Sequence, residues 1–234
     1  MRSIVILTGA GISRESGLAT FRDADGIWAT VRIEDVATPE AFRADPARVQ
    51  AFYNARRSTL LDPAVGPNPA HHALARLERD WPGDLLVVTQ NIDDLHERAG
   101  SRHVLHIHGE LLKARCTAWG RIVPVAEDLT PALVCAGCEN TGTLRPHVVW
   151  FGEMPLYMPV IDQALAEADL FVSIGTSGHV YPAAGFVSQA RSQSIRTLEL
   201  NLEPSEGASL FDEARYGPAS MLVPAFVEEL LMRR

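Results

Sequence analysis

The segment Ile4-Val5-Ile6-Leu7-Thr8-Gly9-Ala10-Gly11-Ile12-Ser13 joins a short apolar run to a turn of small residues. An apolar run without polar interruptions is typical of a strand that is buried on both faces, as in a parallel sheet. Glycines after such a strand let the backbone approach a phosphate, and the next helix directs its amide dipoles at the anion. The dinucleotide fingerprint requires a third glycine where this chain has Arg14, so this segment alone favours a structural turn as much as a phosphate site.

Apolar runs of the same kind recur along the chain and alternate with helical patterns. Strands are predicted at 85–88, 104–107, 170–174 and 197–200, with a weaker one at 221–223. Helices are predicted over 39–61 (one helix, or two broken near Asp45-Pro46), 160–168, 182–192 and 224–232. Another begins at Asn68-Pro69, because asparagine is a good N-cap and proline suits the first helical position. This alternation indicates an α/β fold, a Rossmann-like parallel sheet with helices on both faces.

Two stretches, 20–61 and 111–148, interrupt the alternation. The first has no strand-like run, and the second contains all three cysteines and no helical period. We expect residues 1–234 to form a single domain with these stretches as insertions, one helical and one resembling a zinc ribbon. Insertions beside a nucleotide-type sheet usually form one wall of a ligand cleft.

The composition excludes several classes of protein. Of 234 residues, 47% are hydrophobic and 21% are charged, as in globular proteins, and no apolar run approaches the roughly 18 residues of a membrane span. A net charge of -8, spread along the chain, argues against nucleic-acid binding. Three cysteines fit a reducing compartment, and the apolar run that begins at Ile4 leaves no room for a signal peptide, so a cytoplasmic location is expected.

Polar residues end the second predicted strand, in Thr89-Gln90-Asn91-Ile92-Asp93. Polar side chains at the carboxyl end of a strand in an open α/β sheet project into the ligand crevice. Alternatively, Asn91 or Asp93 only caps the helix that follows. The residues alone leave both interpretations open.

Two histidines lie in His106-Ile107-His108-Gly109. Residues two apart on a strand face the same side, so the two imidazoles are predicted to share a face. A metal pair, a general base and a hydrogen-bonded structural histidine all fit this spacing. A metal pair would also need a third ligand, which the sequence does not place.

The cysteines suggest a metal site that is one ligand short. Cys135-Ala136-Gly137-Cys138 has the spacing of a zinc knuckle, with Cys116 upstream. A second Cys-x-x-Cys pair would place its other cysteine where this chain has Trp119. Three thiolates could bind zinc with a fourth ligand such as Glu127 or Asp128, and small buried thiols are the alternative.

A tyrosine and an arginine in Phe52-Tyr53-Asn54-Ala55-Arg56-Arg57 are three residues apart, and are therefore neighbours on one face of a helix. A phenol beside a guanidinium is a good receptor for a carboxylate, because the arginine fork can bind it bidentately. A surface helix with a stacked tyrosine and arginine is the simpler alternative.

Together these motifs resemble the sirtuin family of NAD-dependent protein deacylases over essentially the whole chain. The matching segments are G-A-G-I-S at 9–13, T-F-R at 20–22, T-Q-N-I-D at 89–93, H-G at 108–109, F-G-E at 151–153, G-T-S at 175–177 and N-L-E at 201–203. Their order and joint occurrence are far more specific than any single motif. Tyr53-x-x-Arg56 with Ala37 upstream resembles the subclass that removes succinyl and malonyl groups, and residues 148–153 and 178–182 resemble the bacterial members.

The resemblance implies NAD as co-substrate and assigns three groups of residues to it. The pyrophosphate and the nicotinamide ribose would be held or covered by Gly9, Ala10, Gly11, Ile12, Ser13, Glu15, Phe21 and Arg22. Nicotinamide and its ribose would be oriented by Gln90, Asn91, Ile92 and Asp93. The adenosine half would be bordered by Gly175, Thr176, Ser177, Asn201, Leu202, Glu203 and Ala219.

The resemblance also makes His108 and Asn91 the catalytic residues. In the family reaction nicotinamide leaves, the acyl oxygen attacks the anomeric carbon, and His108 helps to deprotonate a ribose hydroxyl that attacks the resulting imidate. The products are lysine, nicotinamide and O-acyl-ADP-ribose. A neutral imidazole with a pKa of about 6.5 can serve as this base at neutral pH without a metal. His106 is then expected to be a neighbour in the wall of the site.

Substrate binding follows from the same resemblance. Residues 148–152 are predicted to be extended, with exposed main-chain groups, and the family pairs this region with the substrate peptide by strand addition. Val149, Phe151 and Gly152 would bind the peptide, so proteins that contain acyl-lysine are the expected partners, with neither nucleic acid nor a membrane involved.

Charge explains the expected acyl preference. A succinyl group ends in a carboxylate, and burying that group without a partner would be prohibitive. Arg56 would supply the cation, Tyr53 a hydrogen bond and the small side chain of Ala37 the necessary volume. An acetyl group would leave Arg56 near an apolar methyl, a mismatch that can discriminate by roughly 10²-fold, so acetyl removal is expected to be secondary.

Three other functions compete with deacylation. The chain could sense NAD or ADP-ribose and bind a peptide without turnover, although such a module would need neither His108 nor Asn91. A metal hydrolase could use His106 and His108. A protein ADP-ribosyltransferase would use the same NAD chemistry with a different acceptor.

Overall fold

The computed structural model describes residues 2–19 and 31–232 of the chain. Its strands are β1 (Ser3–Thr8), β2 (Asp84–Thr89), β3 (Val104–His106), β4 (Gly109–Cys116), β5 (Ile122–Pro124), β6 (Leu144–Val148), β7 (Leu170–Ile174), β8 (Arg196–Asn201) and β9 (Glu213–Tyr216). Six strands form a parallel sheet in the order β3-β2-β1-β7-β8-β9. The chain turns to opposite sides of β1 in its two halves, and such a switch point is where open α/β sheets bind ligands.

The described residues also form nine α-helices, four of which cover the two faces of this sheet. The nine helices are α1 (Ala10–Ser13), α2 (Ile33–Val36), α3 (Pro39–Ala44), α4 (Pro46–Leu60), α5 (Pro69–Asp80), α6 (Leu95–Ala99), α7 (Met158–Ala166), α8 (Phe186–Ser192) and α9 (Ala219–Met232). Ile4 and Ile6 of β1 pack in one apolar cluster with α5 and α9, whereas Val5 and Leu7 pack in another with α7 and α8. The central strand is thus buried on both faces, and the predicted α/β fold is confirmed.

Side-chain caps explain two of the predicted helix boundaries. Asn68 accepts a hydrogen bond from the amide of Ala70 at the start of α5. The break near Asp45-Pro46 is confirmed, because Asp45 accepts from the amide of Arg48 and α4 begins there as a new helix. A proline cannot donate a backbone hydrogen bond, so it ends one helix and suits the first turn of the next.

The predicted strand at 221–223 is wrong. These residues lie in α9, which begins at Ala219 and contains Pro224, so the predicted helix start at 224 is also late. The sixth strand is instead β9, whose burial alternates between half-buried and exposed positions. A polar edge strand of four residues lacks the continuous apolar run that marks the inner strands, which is why the sequence pattern missed it.

A second, antiparallel sheet of three strands, in the order β5-β4-β6, lies almost entirely within the predicted 111–148 insertion. Helix α4 is fixed to this small sheet and the loops beside it by side chains that donate to backbone carbonyls. Gln50 donates to Leu144, Asn54 to Leu129 and Arg57 to Leu111. The helix that carries Tyr53 and Arg56 therefore belongs structurally to the small sheet.

Among the residues that the structure describes, no helix combines the length and the apolar character needed to cross a membrane.

Candidate active site

The turns after β1 and β7 meet so closely that only glycine fits. The amide of Gly11 donates to the carbonyl of Gly175 at 2.9 Å, and a Cβ on Gly11 would lie 2.7 Å from the Cα of Gly175. Gly175 has a φ of +62°, and a Cβ there would lie 2.5 Å from the amide nitrogen of Ile12. The two turns therefore form one compact backbone surface at the switch point of the sheet.

Three polar side chains connect this surface to the end of β2. The Asn91 amide donates to the Gly9 carbonyl at 3.1 Å and to Ser13 Oγ at 3.0 Å. Ser13 in turn donates to Asp93 at 3.1 Å, and burial raises the pKa of the Asp93 carboxyl to about 6. The other oxygen of Asp93 accepts from the amide of Leu95, the first residue of α6, although the N-cap of that helix is Asp94.

His108 lies where the two sheets meet. Its Nδ1 is 3.0 Å from the carbonyl oxygen of Gln90, and burial lowers the pKa of the imidazole below its ordinary value. A carbonyl only accepts, so Nδ1 carries the proton and Nε2 presents its lone pair. That is the tautomer of a general base.

The expectation that His106 and His108 share a strand face is wrong, because β3 ends at His106 and His108 follows in a turn. His106 lies between the Asn91 carbonyl, at 3.0 Å, and the carboxylate of Glu97, at 2.8 Å. Burial opposes a charge on this ring, but the Glu97 carboxylate raises the pKa of His106 above its ordinary value. His106 thus supports the backbone of Asn91, as a neighbour in the wall of the site.

The residues predicted for the adenosine half follow the next two strands. Gly175, Thr176 and Ser177 follow β7, Asn201, Leu202 and Glu203 lie at the end of β8 or just after it, and Ala219 begins α9. Asn201 donates to the Thr176 carbonyl at 2.7 Å. Glu15 accepts from the amide and the hydroxyl of Ser220, which joins the first turn to α9. The predicted residues Phe21 and Arg22 lie outside the described residues.

Tyr53 and Arg56 are neighbours, as the helical spacing predicts. The Tyr53 hydroxyl is buried and lies 3.0 Å from Trp150 Nε1, and burial raises the pKa of the phenol to about 12. The Arg56 guanidinium lies 3.3 Å above the Phe52 ring and donates to the Phe52 carbonyl. Burial lowers the pKa of Arg56 to about 10, so this side chain is still charged at neutral pH. Ala37 packs in the same apolar cluster as Tyr53 and Trp150.

The predicted exposure of main-chain groups in 148–152 is wrong for three of the amides. Val149 donates to the His108 carbonyl, Trp150 to the Glu153 carboxylate and Phe151 to the Ala37 carbonyl, all within 3.0 Å. The sequence pattern shows where a segment is extended but cannot show which of its amides are already bonded. These bonds tie the segment to His108 on one side and to Ala37 on the other.

Known proteins match this arrangement. A model described as the Sir2 family matches residues 9–182. This chain belongs to the Sir2 family. It is 59% identical over 230 residues to an NAD-dependent protein deacylase of Trypanosoma brucei brucei, covering 97% of this chain and 94% of the relative. It is 58% identical to an NAD-dependent protein deacylase of Escherichia coli K12, covering 97% of this chain and 82% of the relative.

Solved structures of Sir2 proteins match the fold over almost the whole chain. A Sir2 homologue in complex with ADP-ribose is 37% identical with a TM-score of 0.90, covering 99% of this chain and 92% of the other. A Sir2 protein bound to an acetylated peptide is 27% identical with a TM-score of 0.80, covering 97% of this chain and 93% of the other.

In this Sir2-family chain the three cysteines converge, as predicted. Cys116, Cys135 and Cys138 have sulfur atoms within 4.8 Å of one another, a set that can hold a structural zinc ion. Of the histidines, cysteines and carboxylates within 2–19 and 31–232, only these three form such a group, so neither Glu127 nor Asp128 completes it.

Trp119 lies at the position where a fourth thiolate would be expected. Its amide is 3.3 Å from Cys116 Sγ, and its ring lies against Gly137, where an added Cβ would come within 2.7 Å of ring atom Cη2. Because tetrahedral zinc in a structural site takes four ligands, the cysteines fit zinc in three positions of four.

Arg145 was not among the predicted site residues, but it joins Glu153 to Trp150, the partner of Tyr53. It donates to both carboxylate oxygens of Glu153, at 2.6 and 2.9 Å, and its guanidinium lies 3.3 Å above the Trp150 ring. An arginine between apolar residues, as in Leu144-Arg145-Pro146, is a signal that a partner must exist, since charged side chains are rarely buried unless paired. The sequence gives no indication of which carboxylate that partner is.

Proposed function

We propose that this chain is an NAD-dependent protein-lysine deacylase whose preferred acyl groups end in a carboxylate, namely succinyl and malonyl, with acetyl removed more weakly. Its products would be nicotinamide, O-acyl-ADP-ribose and the free lysine. The pairing of the buried Tyr53 with Arg56 on α4 carries this proposal.

The protonation states of this pair support the acyl preference. Because the pKa of Arg56 is about 10, its guanidinium offers a positive charge to a carboxylate at neutral pH. Because the pKa of Tyr53 is about 12, its phenol keeps a proton that it can donate. Charge-assisted hydrogen bonds to a carboxylate are roughly twice as strong as neutral ones, so the pair compensates for the burial of an acyl carboxylate.

The catalytic assignments are part of the same proposal. NAD would lie across the carboxyl ends of β1, β2, β7 and β8, against the glycine turns and the cluster of Ser13, Asn91 and Asp93. His108 would accept the proton of a ribose hydroxyl at Nε2, since its Nδ1 proton is held by the Gln90 carbonyl. Asn91, fixed by two donated hydrogen bonds, would orient the nicotinamide half.

Protein substrates would bind beside residues 149–152. A Sir2 protein of the same fold binds an acetylated peptide, which supports acyl-lysine segments as ligands here. The amides of Val149, Trp150 and Phe151 and the carbonyl of Trp150 are already bonded, so the carbonyls of Val149 and Phe151 and the exposed side chain of Phe151 would receive the peptide. Such backbone recognition makes few demands on peptide sequence.

We place the protein in the cytoplasm because its thiols need a reducing compartment. Cys116 and Cys138 have sulfur atoms 3.6 Å apart and are not joined by a disulfide. Two thiols at this separation would be oxidised readily in a secretory compartment.

The decisive experiment compares two matched peptides, one with succinyl-lysine and one with acetyl-lysine, each with and without NAD, by mass spectrometry. The proposal requires NAD-dependent turnover that favours the succinyl peptide. Arg56→Met should lose desuccinylation and keep deacetylation, whereas Arg48→Met, on the exposed start of the same helix, should change neither. Equal loss of both activities in Arg56→Met would refute the carboxylate-binding role. Absence of turnover with NAD still bound would favour a non-catalytic binding module.

A further inference from the structure

The Tyr53 hydroxyl oxygen already accepts a hydrogen bond from another side chain. Its oxygen lies 3.0 Å from Nε1 of Trp150, and both side chains are buried. An indole N–H can only donate, so the phenol oxygen is the acceptor in this bond. Among the described residues, the phenol proton itself has no acceptor, and burial keeps that proton in place by raising the pKa to about 12.

The contacts of Trp150 fix the direction in which its indole N–H points. Arg145 lies over one face of the indole, and the Phe42 ring is 5.2 Å away, centroid to centroid. The Trp150 amide donates to Glu153 at 2.8 Å, and Glu153 is bound by Arg145. The indole is therefore restrained by Arg145 and Phe42 at its ring and by Glu153 at its backbone. These contacts keep its N–H directed at Tyr53.

We infer that Trp150 is a positioning residue for acyl specificity: its indole N–H occupies the acceptor side of the Tyr53 hydroxyl and so commits the phenol proton to the acyl carboxylate. This inference rests on the proposed function. A phenol that is free to rotate could present its lone pairs to the carboxylate and repel it. An acetyl group ends in a methyl and gains nothing from the committed proton, so the effect distinguishes acyl groups.

The test replaces the indole without removing an aromatic ring. Trp150→Phe deletes the N–H and keeps a ring for Arg145 and Phe42 to pack against. Since the phenol is retained and only the orientation of its proton is lost, the KM for a succinyl-lysine peptide should rise about fivefold to tenfold. The kcat for that peptide and both constants for the acetyl-lysine peptide should change by less than about twofold.

A double-mutant cycle separates positioning from packing. In a Tyr53→Phe background, Trp150→Phe should raise the succinyl KM no further, because the group through which it acts is gone. Phe42→Leu, which removes one of the restraints on the indole and keeps its N–H, should change the ratio of succinyl to acetyl KM in the same direction as Trp150→Phe and by less. Equal losses for the two acyl groups, or additive effects of the two substitutions, would overturn the inference.

The unmodified protein supplies a second measurement, which does not depend on a variant folding. With 15N-labelled tryptophan, the indole N–H resonance of Trp150 should shift when the succinyl peptide binds and shift less with the acetyl peptide. An unchanged resonance would overturn the inference. If the wild-type enzyme shows no succinyl preference, the proposed function itself fails; if it does and Trp150→Phe retains that preference, only the role of Trp150 fails.

Discussion

The six-stranded and the three-stranded sheet contribute to the proposed site by different means. The large sheet offers backbone: the turns after β1 and β7 meet at Gly11 and Gly175, and a cluster of neutral and acidic side chains stabilises them. The small sheet, with α4 packed on it, offers side chains that carry charge and shape, namely Tyr53, Arg56 and Trp150. His108 lies at the junction of the two.

The difference predicts two kinds of failure. A backbone fit has no tolerance for an added atom, and every substrate of the proposed reaction uses the same co-substrate. Changes in the large sheet should therefore abolish all activities together. Changes around the small sheet, such as Arg56→Met and Trp150→Phe, should alter which acyl group is preferred.

The largest loss is expected from Gly175→Ala. The substitution places a Cβ 2.5 Å from the Ile12 amide nitrogen and forces an L-residue into a φ of +62°. Strain of about 1–2 kcal/mol from the dihedral alone, together with displacement of the turn, should lower NAD affinity and both deacylations by roughly 100-fold or more. Calorimetric titration of NAD and peptide assays would measure this.

Gly207→Ala is the matched control, because an added Cβ there has its nearest contact at 3.7 Å. It should retain NAD binding and both activities. If Gly175→Ala removed desuccinylation and spared deacetylation, the division of labour between the two sheets would be wrong.

The second effect concerns pH and is shared by all acyl groups. His108 must be neutral to accept a proton, and burial lowers its pKa below the ordinary 6.5. The value of kcat/KM should fall as pH drops through that lowered pKa, approaching tenfold per unit below it, and should not fall between pH 7 and 6.5 on account of this group. Succinyl and acetyl peptides should give the same acidic midpoint. Midpoints that differ between the peptides, or that lie above 6.5, would contradict a common base at the junction.

The sequence predicted correctly those features that depend on residues close together in the chain. The apolar runs located five of the six large-sheet strands, and the spacing of Tyr53 and Arg56 correctly made them neighbours, because both features depend on residues close in the chain. The sixth strand, β9, failed because its pattern is that of an exposed edge. Arg145 and Glu153 were not paired, and the amides of 149–151 were misjudged, because those bonds join segments whose proximity no local pattern encodes.

The third prediction concerns how the stability of the large sheet depends on pH through Asp93. Burial raises the pKa of Asp93 from 3.8 to about 6, so the folded protein binds this proton more tightly than the unfolded chain. The associated stability is fully present below pH 3.8 and is lost as pH rises to about 6, by up to about 3 kcal/mol. Asp93→Asn should remove this dependence. The free energy of unfolding of the variant, relative to that of the wild type, should therefore increase as the pH rises from 4 to 6.

Urea unfolding at several pH values would measure this gain, and Asp84→Asn, at the exposed start of β2, is the control. A gain in stability accompanied by weaker NAD binding would show that the buried carboxylate is retained for its ligand. A pH-independent difference between Asp93→Asn and wild type would contradict the raised pKa.

The smallest effect on activity is expected at the three cysteines, which lie in the small sheet and its loops, apart from the residues proposed to bind NAD. With three sulfur ligands and no fourth among the described histidines, cysteines and carboxylates, metal-replete protein should release less than one equivalent of zinc on denaturation. Trp119→Cys supplies the missing thiolate and should bring release to one equivalent, whereas Trp119→Ser supplies none and should not.

Both variants should keep deacylation within about twofold of wild type, since a structural zinc acts through folding. A full equivalent released by the wild type would mean that a non-cysteine ligand completes the site, and a large loss of activity in Trp119→Cys would mean that the small sheet transmits changes at the cysteines to the acyl pocket through α4.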